Sequence, residues 1–330
     1  MKKLLLFFIA TAAIVSVGCR PRSEYRRVEG GVWNTTYHIT YKSDRSLDDS
    51  IVAVMKQVEL SLSPFNDSSL ISRINRGETA ETDSLIRRVF VASLEVNRRS
   101  GGLFDPTVGP LTNLWGFGYK NKGSEPTQAE IDSVLETVGL ADCRLVDGKI
   151  EKKSPGTQFN FSAITKGMGS DLVGEMLRRN GVEDYMVEIG GEIALSGVND
   201  RGKPWRIMVD APIENDTAVV HQRMTVIEPL DRAVATSGDY RNFRQTSQGR
   251  VGHTLNPLTG QPARGEALSV TVLAPDCMTA DAYATACMTM TAADALKMIE
   301  AVPRVDALIV TLAADSTYTL SHTSGFPPLD

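Results

Sequence analysis

The chain has 330 residues, of which 42% are hydrophobic and 23% are charged, and this is the composition of an ordinary globular protein. With 35 Lys and Arg against 40 Asp and Glu, the formal net charge is −5, so the chain lacks the basic excess that is typical of nucleic-acid-binding proteins. Four cysteines are too few for a disulfide scaffold.

The first residues have the pattern of an export signal. Lys2 and Lys3 precede an apolar stretch, residues 4–17, which is shorter than the roughly 20 residues that a membrane-spanning helix needs. The stretch runs into Ser-Val-Gly-Cys, which resembles a bacterial lipobox with Ser16 where Leu is usual. The pattern therefore predicts a secretory signal, and an ordinary cleaved signal followed by a chance cysteine is the alternative.

A lipobox implies a protein that is anchored to a membrane surface and does not span the membrane. On this interpretation residues 1–18 are a lipoprotein signal peptide, Cys19 carries the lipid (palmitate), and residues 19–27 are a polar tether. We therefore expect the protein in a bacterial cell envelope, facing the periplasm, on the inner rather than the outer membrane.

Hydrophobic periodicity predicts the elements that follow. Helical spacing predicts helices over residues 48–62, 82–97, 128–138, 165–180, 280–290 and 292–299, the first with a capping box from Ser46 to Asp49. Runs of β-branched and aromatic residues predict strands over 32–41, 185–189, 205–209, 224–227, 269–274 and 307–312, and a hairpin of 144–146 with 149–151. Residues 120–127 are polar and predict a linker. This mixture favours an α+β fold over a regular βαβ repeat.

Three cysteines remain beyond the signal: Cys143, Cys277 and Cys287. We interpret them as small core residues, since their odd number prevents complete pairing and their spacing is not that of a zinc site. A bridge between Cys277 and Cys287 is the open alternative.

Two stretches are candidates for ligand binding: one is rich in glycine and the other lies at the start of a helix. Residues 102–111 combine glycines and prolines with one acid, Asp105, among aromatic residues, and they predict either a buried loop or a wall for a planar ligand. Residues 160–167 lead into a helix, and Lys166 lies near the helix N-terminus, where cations are unfavourable. A bound anion would explain this lysine, because helix N-termini bind phosphate; a solvated surface lysine is the alternative.

Two further places carry candidate ligand-binding groups. Residues 188–192 and 236–240 predict glycine-containing turns, where the backbone can approach a ligand closely. Nearer the C-terminus, His253 lies in a turn, and Asp281 and Thr285 are separated by four residues, so they share one face of a helix. A carboxylate and a hydroxyl at that spacing can reach one hard cation, although an acid with an unrelated threonine has the same pattern.

Taken together and in order, these stretches resemble the ApbE family of flavin transferases, also called FAD:protein FMN transferases, over roughly residues 28–320. The segments that carry the resemblance are Trp-Asn-Thr-Thr-Tyr at 33–37, Leu-Ser-Pro-Phe at 62–65 with Ser69 and Asn75, Phe-Asp-Pro-Thr-Val-Gly-Pro-Leu at 104–111, Ser-Ala-Ile-Thr-Lys-Gly at 162–167, Ile-Gly-Gly-Glu at 189–192, Ala-Thr-Ser-Gly-Asp-Tyr at 235–240, His-x-x-x-Pro-x-x-Gly at 253–260 and Ala-Asp-Ala-x-Ala-Thr at 280–285.

The resemblance implies a fold and a reaction. The fold is an α+β catalytic unit of two subdomains, similar to a T-fold, over residues 28–325 with the ligand cleft between the subdomains. The reaction splits the pyrophosphate of FAD with Mg²⁺, attaches FMN to a Thr or Ser of an exported redox protein, and releases AMP. The implied partners are FAD as substrate, exported redox subunits as acceptors and the membrane surface, with no nucleic acid.

The resemblance also implies roles for particular residues. The metal ligands are Asp281, Thr285 and the backbone carbonyl of Ala163, and His253 is a phosphate contact or general base, with Asp281 as the other catalytic residue. The residues that line the FAD site or lie near the ligand are Trp33, Phe65, Leu103, Phe104, Asp105, Asn160, Lys166, Gly190, Gly191, Ser237, Asp239 and Leu255.

Two alternatives to the transferase remain open from the sequence. The same site with water as acceptor would be a Mg²⁺-dependent FAD pyrophosphatase that yields FMN and AMP. A lipid-anchored flavin-binding protein without catalysis also fits the signal and the size, but it leaves the pairing of Asp281 with Thr285 unexplained.

Overall fold

The computed structural model describes residues 23–118, 125–213, 222–238, 243–246 and 249–329. The strands are β1 (Glu24–Val32), β2 (Thr35–Ser43), β3 (Arg144–Val146), β4 (Lys149–Glu151), β5 (Tyr185–Ile189), β6 (Glu192–Ser196), β7 (Ile207–Asp210), β8 (Arg223–Ile227), β9 (Ala233–Gly238), β10 (Phe243–Thr246), β11 (Gly249–Gly252), β12 (Ala267–Ala274), β13 (Asp306–Leu312) and β14 (Tyr318–His322). The helices are α1 (Asp48–Leu62), α2 (Leu70–Asn75), α3 (Ser84–Arg99), α4 (Gly109–Leu114), α5 (Gln128–Leu135), α6 (Ser162–Arg179), α7 (Cys277–Cys287) and α8 (Ala292–Glu300), with a 3₁₀ turn at Leu140–Asp142.

One antiparallel sheet of eight strands organises the fold, in the order β1-β2-β5-β6-β9-β12-β13-β14. Its first four strands form one half and its last four form the other. The halves meet at β6 and β9, which are joined by a single pair, Ile193 with Val234. We call this junction the seam. Helix α6 packs on β5 and β6 of the first half, and α7 packs on β9 and β12 of the second half.

Alternation along the strands gives the sheet two buried faces. On the helical face, Ala235 and Val272 belong to a core that includes residues of α1, α3 and α7. Their neighbours Val234 and Leu273 face the other way, into a core that includes β7, β8 and Trp205. Both faces are therefore covered, and α6 and α7 lie side by side beneath the seam.

The elements with strong local signals form as predicted. Helix α1 and strand β5 have the predicted bounds, and β3 and β4 form the predicted hairpin with positive φ at Asp147 and Gly148. Cys143, Cys277 and Cys287 are buried and free, so the core interpretation is confirmed and Cys277 is not bridged to Cys287.

Several boundaries differ from the prediction. The single strand expected over 32–41 is interrupted by a turn, because Trp33 and Asn34 take positive φ values of 48° and 60°. This turn joins the end of β1 to the start of β2 in a hairpin. Strand β1 begins at Glu24, inside the segment that was expected to be a tether over 19–27, because its full length pairs with β2. Helices α6 and α7 each begin three residues earlier than predicted.

Two local predictions are wrong. The capping box of Ser46 is absent, since Leu47 is the N-cap of α1 and the Ser46 hydroxyl accepts a hydrogen bond from the Asp48 N–H instead. Residues 236–238 are the end of strand β9 rather than a turn, because they pair with β12.

Some sequence-based predictions fall outside the described residues: the signal peptide, Cys19, most of the linker at 120–127, and Asp239. In the part of the chain that the structure describes, no helix is both long enough and apolar enough to cross a membrane.

Candidate active site

A cleft of about 1540 Å³ follows the seam, and Ile193 and Val234 are among the residues that line it. Every predicted ligand, metal or catalytic residue within the described ranges lines this cleft. These residues are Trp33, Phe65, Leu103, Phe104, Asp105, Asn160, Ala163, Lys166, Gly190, Gly191, Ser237, His253, Leu255, Asp281 and Thr285. The fold thus brings together segments that are up to 250 residues apart in the chain.

Three charged side chains from both halves meet in the cleft. The Lys166 ammonium, on α6, lies 2.8 Å from Glu192 Oε1 at the start of β6 and 3.7 Å from Asp281 Oδ1 on α7. Both carboxylate groups are buried, and Glu192 is only 3% exposed. When both acids are ionised, the three groups carry an excess of one negative charge. We call these three side chains the acidic cluster.

Burial and mutual charge shift the pKa values of this cluster. Burial raises the pKa of Glu192 to about 8 and also raises the pKa of Asp281, while Lys166 opposes both shifts. Burial alone would lower the pKa of Lys166, but the charges of Asp281 and Glu192 outweigh it and raise that pKa. Lys166 is therefore charged. A cation bound beside the two carboxyl groups would favour their ionised forms and lower both pKa values.

The position of Asp281 depends on close contact between α6 and α7. The Gly167 N–H donates to Asp281 Oδ2 over 3.0 Å. A Cβ on Gly167 would lie 2.3 Å from the Cys277 carbonyl oxygen and 2.9 Å from the Asp281 Cβ, so only glycine permits this approach.

Asp171 fastens the start of α7 to α6. Its two carboxylate oxygens accept hydrogen bonds from the N–H groups of Cys277 and Met278, over 2.8 and 2.9 Å. These N–H groups belong to the first helical turn and have no partner within the helix. A carboxylate at this position also interacts favourably with the helix dipole. Burial nevertheless raises the pKa of Asp171 to about 7.

The cleft lining offers oxygen atoms of the kind that a hard divalent cation takes as ligands. Thr285 lies one helical turn further on, and its hydroxyl is 3.4 Å from the Ser237 hydroxyl. One carboxylate, a hydroxyl and the carbonyl of Ala163 suit Mg²⁺, which keeps several positions for water and phosphate. No group of three or more His, Cys, Asp or Glu residues suited to a metal occurs in the described ranges, so an all-side-chain site of that kind is absent there.

The cleft lining also includes large apolar side chains. The Trp33 ring packs on α6, where a Cβ on Gly169 would lie 2.5 Å from the ring. Phe104 and Leu255 are buried, whereas Phe65 is 52% exposed to solvent. An aromatic wall of this kind accommodates a planar ring system.

The loop at 102–111 is both a buried loop and a wall of the cleft. Asp105 Oδ1 accepts hydrogen bonds from the N–H and the hydroxyl of Thr107, and its Oδ2 accepts one from the Leu140 N–H. The Asp105 carboxylate is therefore engaged in holding the loop, and burial raises its pKa. His253 also lines the cleft, with its ring edge-on to Phe117 and the centroids 6.4 Å apart.

The expectation for Lys166 needs a correction. Helix α6 begins at Ser162, so Lys166 is in its second turn, and two carboxylates of the protein offset its charge where a bound anion or solvent was expected. Glu192 was missed as a site residue. The available signal was an acid that precedes three apolar strand residues and directly follows two glycines.

Comparisons with known proteins identify relatives of this chain. The pattern of the ApbE family matches residues 33–309. The chain is 36% identical over 295 residues to the FAD:protein FMN transferase of Vibrio cholerae, covering 86% of this chain and 87% of that protein. It is 32% identical over 346 residues to the FAD:protein FMN transferase of Haemophilus influenzae, covering 100% and 99%.

Two solved structures share the fold. The flavin transferase ApbE from Vibrio cholerae superposes with a TM-score of 0.82 at 34% identity, covering 92% of this chain and 98% of that chain. The flavinyl transferase ApbE from Pseudomonas stutzeri, in its apo form, gives a TM-score of 0.80 at 29% identity, covering 92% and 96%.

Proposed function

The chain belongs to the ApbE family, and we propose on that basis that it is an FAD:protein FMN transferase. It moves FMN from FAD to a Thr or Ser of an exported redox protein and releases AMP. The observation that carries this function is a single cleft whose lining combines aromatic side chains with the acidic cluster. A dinucleotide with a flat ring and a pyrophosphate needs both.

Two groups of residues divide the work of binding. Trp33, Phe65 and Leu255 hold the flavin ring and exclude water from it. Asp281, Thr285 and the Ala163 carbonyl would hold Mg²⁺, which when bound supplies positive charge for the pyrophosphate oxygens. Such reactions depend mainly on positioning and on charge neutralisation.

His253 is our candidate for the proton acceptor. The acceptor hydroxyl oxygen forms a bond to the phosphorus of the FMN portion, and the bond from that phosphorus to the bridging oxygen breaks, so that AMP leaves with the electron pair. The hydroxyl proton passes to a ring nitrogen of His253. The place of His253 in the cleft lining supports this role.

The test of the function is the fate of the flavin. With FAD, Mg²⁺ and a saturating acceptor domain, we expect flavinylated protein to exceed free FMN. An oriented acceptor hydroxyl reaches effective concentrations of about 10⁵ M or more, against about 55 M for water. Mass spectrometry of the acceptor and chromatography of free FMN measure the ratio, with EDTA as the metal-free control. Free FMN as the main product with every exported acceptor would identify a pyrophosphatase, and no cleavage of FAD would identify a binding protein.

We also propose that Cys19 carries a lipid and holds the enzyme on the periplasmic face of the inner membrane. The support is the sequence Ser-Val-Gly-Cys after an apolar stretch. We expect the parent protein in the membrane fraction and the Cys19→Ala variant to lose its lipid and its firm membrane attachment. Mass spectrometry of the N-terminal peptide checks the modification, and an unmodified Cys19 in the mature protein would contradict it.

A further inference from the structure

We propose that Glu192 is a positioning residue that keeps the Lys166 ammonium away from Asp281, so that the Asp281 carboxylate stays available to a divalent cation. This inference rests on the transferase function proposed above. It assigns a role to a buried acid that is not one of the expected metal ligands.

The distances show which acid holds the lysine. Lys166 Nζ is 2.8 Å from Glu192 Oε1, which is a hydrogen-bonding distance, but 3.7 Å from Asp281 Oδ1, which is not. The lysine side chain is flexible and retains 32% exposure, so its position depends on its partners. Without the charge of Glu192, Asp281 is the remaining carboxylate with which Lys166 forms an ion pair, and the ammonium would move towards it.

An ammonium on Asp281 competes with a metal ion for the same oxygen. Asp281 Oδ2 already accepts the Gly167 N–H, so Oδ1, the atom nearer to Lys166, is the one left for a cation. Glu192 therefore protects that atom by supplying a stronger partner for the lysine. Mutating a group that orients a metal ligand without touching the metal typically lowers metal affinity by about 10- to 100-fold.

The Glu192 side chain is built for more than packing. Its Oε2 is buried and has no hydrogen-bond partner among the described residues, which is costly for a carboxylate. The backbone of Glu192 is fixed separately, because the Ser170 hydroxyl donates to its carbonyl oxygen over 2.9 Å. Glu192→Gln should therefore leave the fold intact.

A double-mutant cycle tests the proposal through metal binding rather than activity. Binding of Mn²⁺ to the FAD-free protein is measured by calorimetry for the parent, Glu192→Gln, Lys166→Gln and the double variant. We expect Glu192→Gln to weaken Mn²⁺ binding by about 10-fold or more in the parent. In the Lys166→Gln background the same change should have little effect, because no ammonium is left to move.

Two controls separate this role from others. Glu59→Gln removes another acid from the cleft lining, where it pairs with Lys56, and should leave Mn²⁺ affinity unchanged. Binding of FAD in EDTA should be the same for Glu192→Gln and the parent, which would show an intact cleft.

Four results would overturn the proposal: an unchanged Mn²⁺ affinity in Glu192→Gln, an equal loss in both lysine backgrounds, an equal loss in Glu59→Gln, or no Mn²⁺ binding by the parent. An equal loss in both backgrounds would mean that Glu192 acts on the cation directly. Failure of flavin transfer alone would count against the proposed function and would leave the cycle unaffected.

Discussion

Replacing Asp281 with Asn is expected to lower the rate of FMN transfer by at least about 10²-fold, the size of effect seen when one well-placed charge-stabilising group is removed. Asn has the same shape and keeps an oxygen for the Gly167 N–H. It lacks the negative charge, and Asp281 supplies the one carboxylate among the proposed metal ligands. Added Mg²⁺ should restore little activity, because the hydroxyl of Thr285 cannot supply that charge.

Initial rates over a range of Mg²⁺ concentrations measure this effect. Asp276→Asn is the matched control, since it removes a carboxylate from the same helix. Asp276 is the N-cap of α7 and accepts the Thr279 N–H, a role that Asn fills equally well. We expect that control to retain the parent rate. Transfer by Asp281→Asn at the parent rate would refute the metal assignment.

The second large effect is expected from Gly167→Ala, which adds one methyl group between α6 and α7. The new Cβ would lie 2.3 Å from the Cys277 carbonyl oxygen, so the two helices must separate. Overpacking of this kind costs about 1–3 kcal/mol of unfolding free energy, and here the opposing atom belongs to the backbone and yields little. Because Asp281 moves with α7, we expect the rate of transfer to fall as well.

Gly174→Ala is the control on the same helix. Its Cβ would meet the Tyr185 ring at 3.0 Å, and a side chain can shift where a backbone cannot. Both variants gain about 0.8–1.0 kcal/mol of helix propensity, so the difference between them isolates the helix contact. Chemical denaturation gives both unfolding free energies. Equal stability of the two variants would mean that the approach of α6 to α7 does not require glycine.

The comparison of sequence and structure separates local signals from tertiary ones. Helix α1 and the β3–β4 hairpin were predictable because their periodicity and turn residues are local. Strand β6 was missed because four of its five residues are buried, so it shows no alternation. Strands β1 and β14 lie at the sheet edges and are polar, so only their pairing partners define them.

The candidate site shows the same division. The spacing of Asp281 and Thr285 on one helical face was readable from the sequence, and the structure places both in the cleft. The contact of Lys166 with Glu192 was not readable, because it joins residues on different elements. Which of two nearby acids a lysine prefers is decided by a difference of less than 1 Å between two distances, and no sequence pattern encodes that difference.

The seam gives the bound substrate a mechanical role. Lys166 and Glu192 are on the first half of the protein and Asp281 is on the second, while the strands between them share one pair. A ligand that contacts both halves therefore holds them together, and its binding free energy stabilises their association. At a concentration 100 times its Kd, a ligand that binds only the folded chain adds about 2.7 kcal/mol of stability. The enzyme would thus be most resistant to unfolding and proteolysis where FAD is plentiful, and its lifetime in the cell would follow the supply of the molecule it consumes.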